Sequence, residues 1–139
     1  MPARSKKINF AKEQLEDGIA LFFEKRYISS LTLLGASEEI MSRLIEEKTG
    51  KHPLENMWAL ANNIRSMLGN SHISKKEIHQ TMNQGRNQVK HHDLGGEDEI
   101  SFSRFSEAFM MIQRATGCAE YLGLKYKNRK LYYDWFNSE

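Results

Sequence analysis

Apolar residues recur at intervals of three and four along most of the chain, the spacing that lines up one face of an α-helix. Ala11, Leu15, Ile19, Phe22 and Phe23 form the first stripe and predict a helix over about residues 9–26. Leu31, Leu34, Ile40, Met41, Leu44 and Ile45 form a second over about residues 30–48, with Ser29 or Ser30 as N-cap and Gly50 as the stop. After the His52-Pro53 break, Leu54, Met57, Trp58, Ala61, Ile64 and Leu68 make a third stripe, closed by Gly69. Ser74 with Glu77 three residues later matches a capping box, and Ile78, Met82 and Val89 carry that helix to the Asp93-Leu94-Gly95-Gly96 break.

A fifth stripe, Phe102, Phe105, Phe109 and Ile112, follows Ser101, and the acidic turn Glu97-Asp98-Glu99 before it suits a helix N-terminus. Leu131 to Phe136 reads either as a strand or as a short terminal helix packing Tyr132, Trp135 and Phe136. No single helix can bury its stripe alone, so the expectation is an all-α, antiparallel four- to five-helix bundle. The expected layout is a flexible basic N-terminus at 1–8, the bundle at 9–122, and a basic aromatic tail or short helix at 123–139.

Composition narrows the setting. At 139 residues with 40% hydrophobic side chains, the chain fits one packed domain, and a net charge of +2 gives no general attraction to duplex DNA or anionic lipid. The single Cys118 excludes an internal disulfide and agrees with a reducing compartment. The longest uncharged run, Tyr27 to Ser37, is about half of the roughly 20 residues that span a bilayer. Basic residues at Met1 to Lys7 are followed at once by Lys12, Glu13, Glu16 and Asp17, not by a signal-peptide core. The expectation is a soluble cytoplasmic protein without a membrane partner.

Several chemistries lack their usual signatures: there is no phosphate-binding Gly-rich loop ending in Lys-Ser/Thr, no G-x-G-x-x-G, no G-x-S-x-G and no H-E-x-x-H. The remaining polar constellation is residues 84–93, Gln-Gly-Arg-Asn-Gln-Val-Lys-His-His-Asp, at the end of the fourth helix. Lys75, Lys76, Arg86 and Lys90 against Glu77 alone make that helix locally basic, which attracts a phosphate. Asn87 and His91, four apart, share a face, whereas Arg86 and His91, five apart, do not strictly do so. For phosphodiester cleavage the useful parts are an imidazole that moves a proton and a guanidinium that stabilises phosphate charge. RNA supplies its own nucleophile, the 2′-hydroxyl.

These residues resemble a known family. Arg86-Asn87 followed by His91 is an R-x4-H motif with a polar residue after the arginine, on a late helix of a small helical chain, and it resembles the HEPN superfamily. The second-helix segment Leu31 to Ile40, with small residues before Glu38-Glu39, is similar to that of some bacterial HEPN-like proteins. The resemblance covers about residues 9–115 by number and order of helices. It implies a helical homodimer with both motifs at its interface and, in active members, a metal-independent endoribonuclease of toxin, antiviral or RNA-processing systems. It further implies RNA or a nucleotide as ligand, a cognate antitoxin or other protein partner, and no cofactor. On this resemblance Arg86 binds phosphate, His91 is the general acid/base and Asn87 orients either; His92 fits the spacing as R-x5-H, Glu38 or Glu39 orients Arg86, and Lys90 supports the site. Lys90 also marks a departure, because toxins paired with a nucleotidyltransferase carry Tyr as the fourth residue after the arginine.

Each feature has a plainer reading. On the same bundle Arg86 and Asn87 satisfy buried carboxylates, with Glu38 or Glu39 as partner, in a non-catalytic nucleotide-binding or protein-interaction module. His91-His92-Asp93 also resembles the His-Asp pair of metal phosphohydrolases, but that chemistry needs a further His and Asp converging on one ion, for which His79, Asp98 and Asp134 are the candidates, so no metal is called for. In the tail, Lys125, Lys127, Arg129 and Lys130 interleave with Tyr126, Tyr132 and Tyr133, the mixture that single-stranded nucleic acid uses for charge and stacking.

Overall fold

The computed structural model describes residues 2–138. Met1 and Glu139, the outermost residues of the expected terminal segments, lie outside the described residues. Among the described residues there are six helices and no strand: α1 (Lys7–Phe23), α2 (Tyr27–Thr49), α3 (Leu54–Met67), α4 (Lys75–Lys90), α5 (Arg104–Tyr121) and α6 (Arg129–Phe136). The all-α expectation stands, while the count of four to five becomes six because the 131–136 segment forms a helix rather than the alternative strand.

The α1 stripe Ala11, Leu15, Ile19 and Phe22 is buried against α2. The two helices approach so closely that a Cβ on Gly18 would fall 2.7 Å from Leu34 Cγ. The hydroxyls of Ser30 and Ser37 donate to the carbonyls of Gly18 and Ala11, each at 2.7 Å, and fix the antiparallel register of the pair. Ser30 is therefore not the expected N-cap of α2. The turn is tighter than the pattern suggests: α1 stops at Phe23, Lys25 takes the left-handed conformation at φ 61°, and α2 begins at Tyr27 behind Arg26. At its other end Gly50, at φ 81°, stops α2 as expected.

A second correction concerns direction. Tyr27 lies edge-on to Phe105 and Glu38 pairs with Arg114, so α2 and α5 run parallel, because the α3–α4 excursion carries the chain back to the end at which α2 began. The purely antiparallel bundle does not hold. The interior is built from α1, α2 and α5, with Leu15, Ile19, Leu31, Leu34, Met41 and Ile112 all removed from water. Burial contributes about 1.5–3 kcal/mol for each such side chain, against about 0.3–0.5 kcal/mol for an exposed i, i+3 pair such as Arg43–Glu46. Packing contributes more to holding these three helices together than exposed ion pairs do.

α5 buries Ala108, Met111, Ile112, Ala115, Cys118 and Ala119 rather than the expected Phe102–Phe105–Phe109 stripe, of which Phe105 is 44% exposed. Its aromatic side instead joins Phe22, Tyr27 and the α6 residues Trp135 and Phe136. The approach to α6 is tied to α1 by Glu16, whose carboxylate accepts the Lys127 N–H at 2.8 Å and whose carbonyl accepts the Asn128 side-chain amide at 2.9 Å. α3 departs most from expectation: of its stripe only Leu54 is buried, while Met57, Leu60, Ile64 and Leu68 face outward. It hangs on the segment before α4, where the Trp58 indole and Asn62 amide both donate to the Ile73 carbonyl. α4 begins as expected, with the Glu77 N–H donating to Ser74 Oγ at 3.1 Å. It ends at Lys90 rather than near Asp93, since His91 is already extended.

Candidate functional site

The far half of α4 crosses α2 and faces α5 through two glycines. At Gly35 on α2 a Cβ would fall 2.5 Å from Arg86 Cδ, and at Gly85 on α4 a Cβ would fall 2.1 Å from Glu107 Oε2. The absence of both side chains lets the Arg86 stem lie on α2 and the Glu107 carboxylate lie on α4. Across the first contact Arg86 Nη2 donates to Glu39 Oε2 at 2.5 Å, and its side chain is 11% exposed. That hydrogen bond is the main reason the Glu39 carboxyl lies below its ordinary range; Lys90 and Arg43 add to it, and partial burial opposes it.

Glu38 does not reach for Arg86. It is 4% exposed and pairs with Arg114 Nη2 at 3.2 Å, while the same guanidinium donates to the Met82 carbonyl at 2.8 Å and to Asn83 Oδ1 at 3.0 Å. Arg114 thus fastens α4 to α5 and α2. Arg86, Arg114, Gly85 and Glu107 share the lining of a cavity of about 620 Å³ between α4, α5 and the segment before α5. Arg86 also borders a second hollow beside Glu39 and Arg43.

Asn87, Lys90, His91 and His92 are exposed at the end of α4. The His91 backbone N–H caps the helix on the Asn87 carbonyl at 3.2 Å. Among the described residues, neither His91 nor His92 makes a side-chain hydrogen bond, and His92 borders an open hollow with Glu97, Asp98 and Glu99. The structure therefore brings Glu39 to Arg86 and Glu38 to Arg114, and leaves both imidazoles free in solvent. The local excess of positive charge on α4 is reduced by the Lys75–Glu55 and Arg86–Glu39 pairs.

The C-terminal cations lie on the surface, but the rings between them do not. Tyr126 and Tyr132 are buried in the interior, Arg129 pairs with Glu120 and Lys130 with Asp134, and Lys125 and Lys127 are exposed. The expected stacking surface is corrected to that extent: two of its three tyrosines have no face for a base. Burial pushes the Cys118 thiol up to about 12, with Glu38 adding to it, so it stays protonated and is no nucleophile at neutral pH. Among the described residues no group of three or more His, Cys, Asp or Glu converges on a metal position. Nor is any helix among them long and apolar enough to cross a membrane.

Gly35, Gly85, Glu107 and Arg114 were not singled out from the sequence. Two of the buried charges carry a readable signal, since Glu38 continues the Leu31, Leu34, Met41 and Ile45 face, and Arg114 lies between Met111 and Cys118 on the buried face of α5. A charge on each of two apolar stripes points to a buried pair. Comparison of the chain with protein-family models, with curated proteins and with solved structures gives no match.

Proposed function

We propose that the chain is a HEPN-like, metal-independent endoribonuclease acting as a homodimer, with Arg86, Asn87 and His91 as its working residues. The observation that carries this reading is the Glu39–Arg86 ion pair, which holds a guanidinium in one orientation on the half of α4 whose end carries the exposed Asn87, Lys90 and His91. A cation already oriented stabilises developing phosphate charge without rearranging during reaction. In the proposed step an imidazole takes the 2′-hydroxyl proton as that oxygen attacks the adjacent phosphorus. The P–O5′ bond breaks, a second imidazole from the other copy protonates the leaving oxygen, and the products end in a 2′,3′-cyclic phosphate and a 5′-hydroxyl. His92 is the alternative to His91.

The second reading, a nucleotide-binding or protein-interaction module without turnover, is favoured by the exposure of His91 and His92, neither of which makes a side-chain hydrogen bond to Arg86 among the described residues. The two are separated by incubating mixed RNA in EDTA with the native chain, Arg86→Lys, His91→Ala and His92→Ala, after circular dichroism has shown equal helicity. Cleavage to cyclic phosphate ends, reduced by about 10²–10⁴-fold in Arg86→Lys and in one of the histidine variants, supports the ribonuclease. Saturable RNA or nucleotide binding by a chain that cuts nothing supports the module instead.

A further inference from the structure

Among the described residues Gly18, Gly35, Gly85 and Gly117 stand inside helices, and the first three are explained by what crosses them. A Cβ there would fall 2.7 Å from Leu34, 2.5 Å from Arg86 and 2.1 Å from Glu107, respectively. At Gly117 on α5 a Cβ would meet no described atom within 4 Å. Glycine weakens a helix interior relative to alanine, and close approach of another group is its usual reason. Gly117 opens instead onto a hollow of about 650 Å³ between α5 and α3.

The hollow has the build of a small-molecule pocket, which typically holds roughly 300–1,000 Å³ within apolar walls and a few polar groups. Ile45 of α2, Leu54 of α3 and Cys118 of α5 are buried along it, whereas Met57, Leu60 and Tyr121 line it and remain exposed. Glu38 of α2 lines it as well, although it is 4% exposed. Its ion pair with Arg114 at 3.2 Å leaves acceptor capacity unused, because a carboxylate accepts about four hydrogen bonds. The charges around the hollow are Glu38 and Arg114, which balance each other, the exposed Lys51, and His52, which burial holds toward its neutral form. An ammonium would meet Arg114 and Lys51, and an anion would face the Glu38 carboxylate; a neutral donor meets neither repulsion. The sulfurs of Met57 and Cys118 and the Tyr121 ring suit an aromatic body.

We infer that this hollow binds a small uncharged aromatic molecule carrying one N–H or O–H, with its ring over Gly117 among Met57, Leu60 and Tyr121 and its donor on Glu38. Gly117 is then bare because the ring takes the space of a side chain. Binding removes three exposed apolar side chains from water and gives the Glu38 carboxylate a further donor. Arg86, Asn87 and His91 take no part in the lining, so the inference is independent of the ribonuclease reading and leaves the Arg86 end of α4 open to a second copy.

The experiment is calorimetric titration, to roughly 5 mM, of indole and phenol and of their methylated counterparts 1-methylindole and anisole, which lack the donor. The variants are Gly117→Leu, which fills the hollow, and Glu38→Leu/Arg114→Met, which removes the acceptor without stranding a charge; circular dichroism checks that each keeps native helicity. The native chain is expected to bind indole or phenol at one site with Kd below about 1 mM, and the methylated counterpart at least about 10-fold more weakly. Gly117→Leu is expected to weaken binding by at least about 10-fold, and the double variant to lose the preference for the donor. Saturable binding of neither indole nor phenol overturns the site, as does undiminished binding by Gly117→Leu. Equal affinity for the methylated molecules, or a preference that survives in the double variant, overturns the contact with Glu38. Should the double variant lose its helicity, the comparison on the native chain decides that contact.

Discussion

Arg86 lies across Gly35 so closely that a methyl group on that glycine and the Arg86 Cδ cannot both keep their places. Gly35→Ala therefore displaces the guanidinium from Glu39, and overpacking of this kind costs about 1–3 kcal/mol. Denaturant unfolding reads the loss. Gly117→Ala is the matched control, because a Cβ there meets nothing within 4 Å. Within α5 the control is expected to gain about 0.5–1 kcal/mol from its helix preference. A Gly35→Ala chain stabilised as much as the Gly117→Ala control would show that Arg86 relaxes freely.

Arg114 is expected to matter more to stability than Arg86. Removing one partner of a buried pair strands the other, so Arg114→Met costs about 3–5 kcal/mol. The double variant Glu38→Leu/Arg114→Met leaves no stranded carboxylate and is expected to recover part of that loss, the rest reflecting the lost bonds to Met82 and Asn83. Urea midpoints of the two single variants and the double decide it; strict additivity would mean that the pair is not coupled.

A third prediction is a pH dependence. Burial, and secondarily His79, whose ring centre is 4.6 Å away, holds the His52 imidazole below its ordinary value of 6.5. Among the other charges facing it, Arg43 on α2 and Arg114 on α5 oppose its protonation, while Glu46 on α2 and Glu55 on α3 favour it. As pH falls, the unfolded chain takes up this proton first, so the stabilising contribution is complete above about pH 6.5 and is lost as pH drops through the lower folded value. The urea midpoint should decline between about pH 7.5 and pH 5.5, and decline less in His52→Asn, which keeps an acceptor for the Leu54 N–H. An equal decline in both chains would point to another group.

The C-terminal segment is expected to be indispensable for folding. Tyr132 is 2% exposed, and truncating a buried aromatic costs about 3–5 kcal/mol. Tyr132→Ala should therefore lower the thermal midpoint sharply, and a chain ending before Lys125 should lose its cooperative melt. A truncated chain that still melts cooperatively and only binds RNA less well would return Lys125, Lys127, Arg129 and Lys130 to the role of a separate nucleic-acid tail.

The residues that give each helix away and those that join the helices differ in how visible they are. Ala11, Leu15, Ile19 and Phe22 declare α1 by spacing alone, and Ser74 with Glu77 marks the start of α4, because both signals act within one or two turns. Gly35 carried no such signal. Its role depends on Arg86, far along the chain, arriving over it, and a helix-interior glycine looks the same whether or not something crosses it. Glu38 and Glu39 are neighbours in sequence but point about 100° apart on the helix, so they pair with different arginines on different helices.

What the amino-acid sequence determined by itself is local: helical periodicity, some helix limits, the stop at Gly50, and the polar run from Arg86 to His92. These follow from short-range sterics and hydrogen bonding that each segment carries with it. What only the tertiary structure decided is which stripe finds a partner. The α3 stripe is as regular as that of α1, yet α2 and α5 bury each other and α1 completes their interior, which leaves Leu60 and Ile64 uncovered. Burial is a property of the assembled helices, since removing apolar area from water requires a second surface that no single segment supplies.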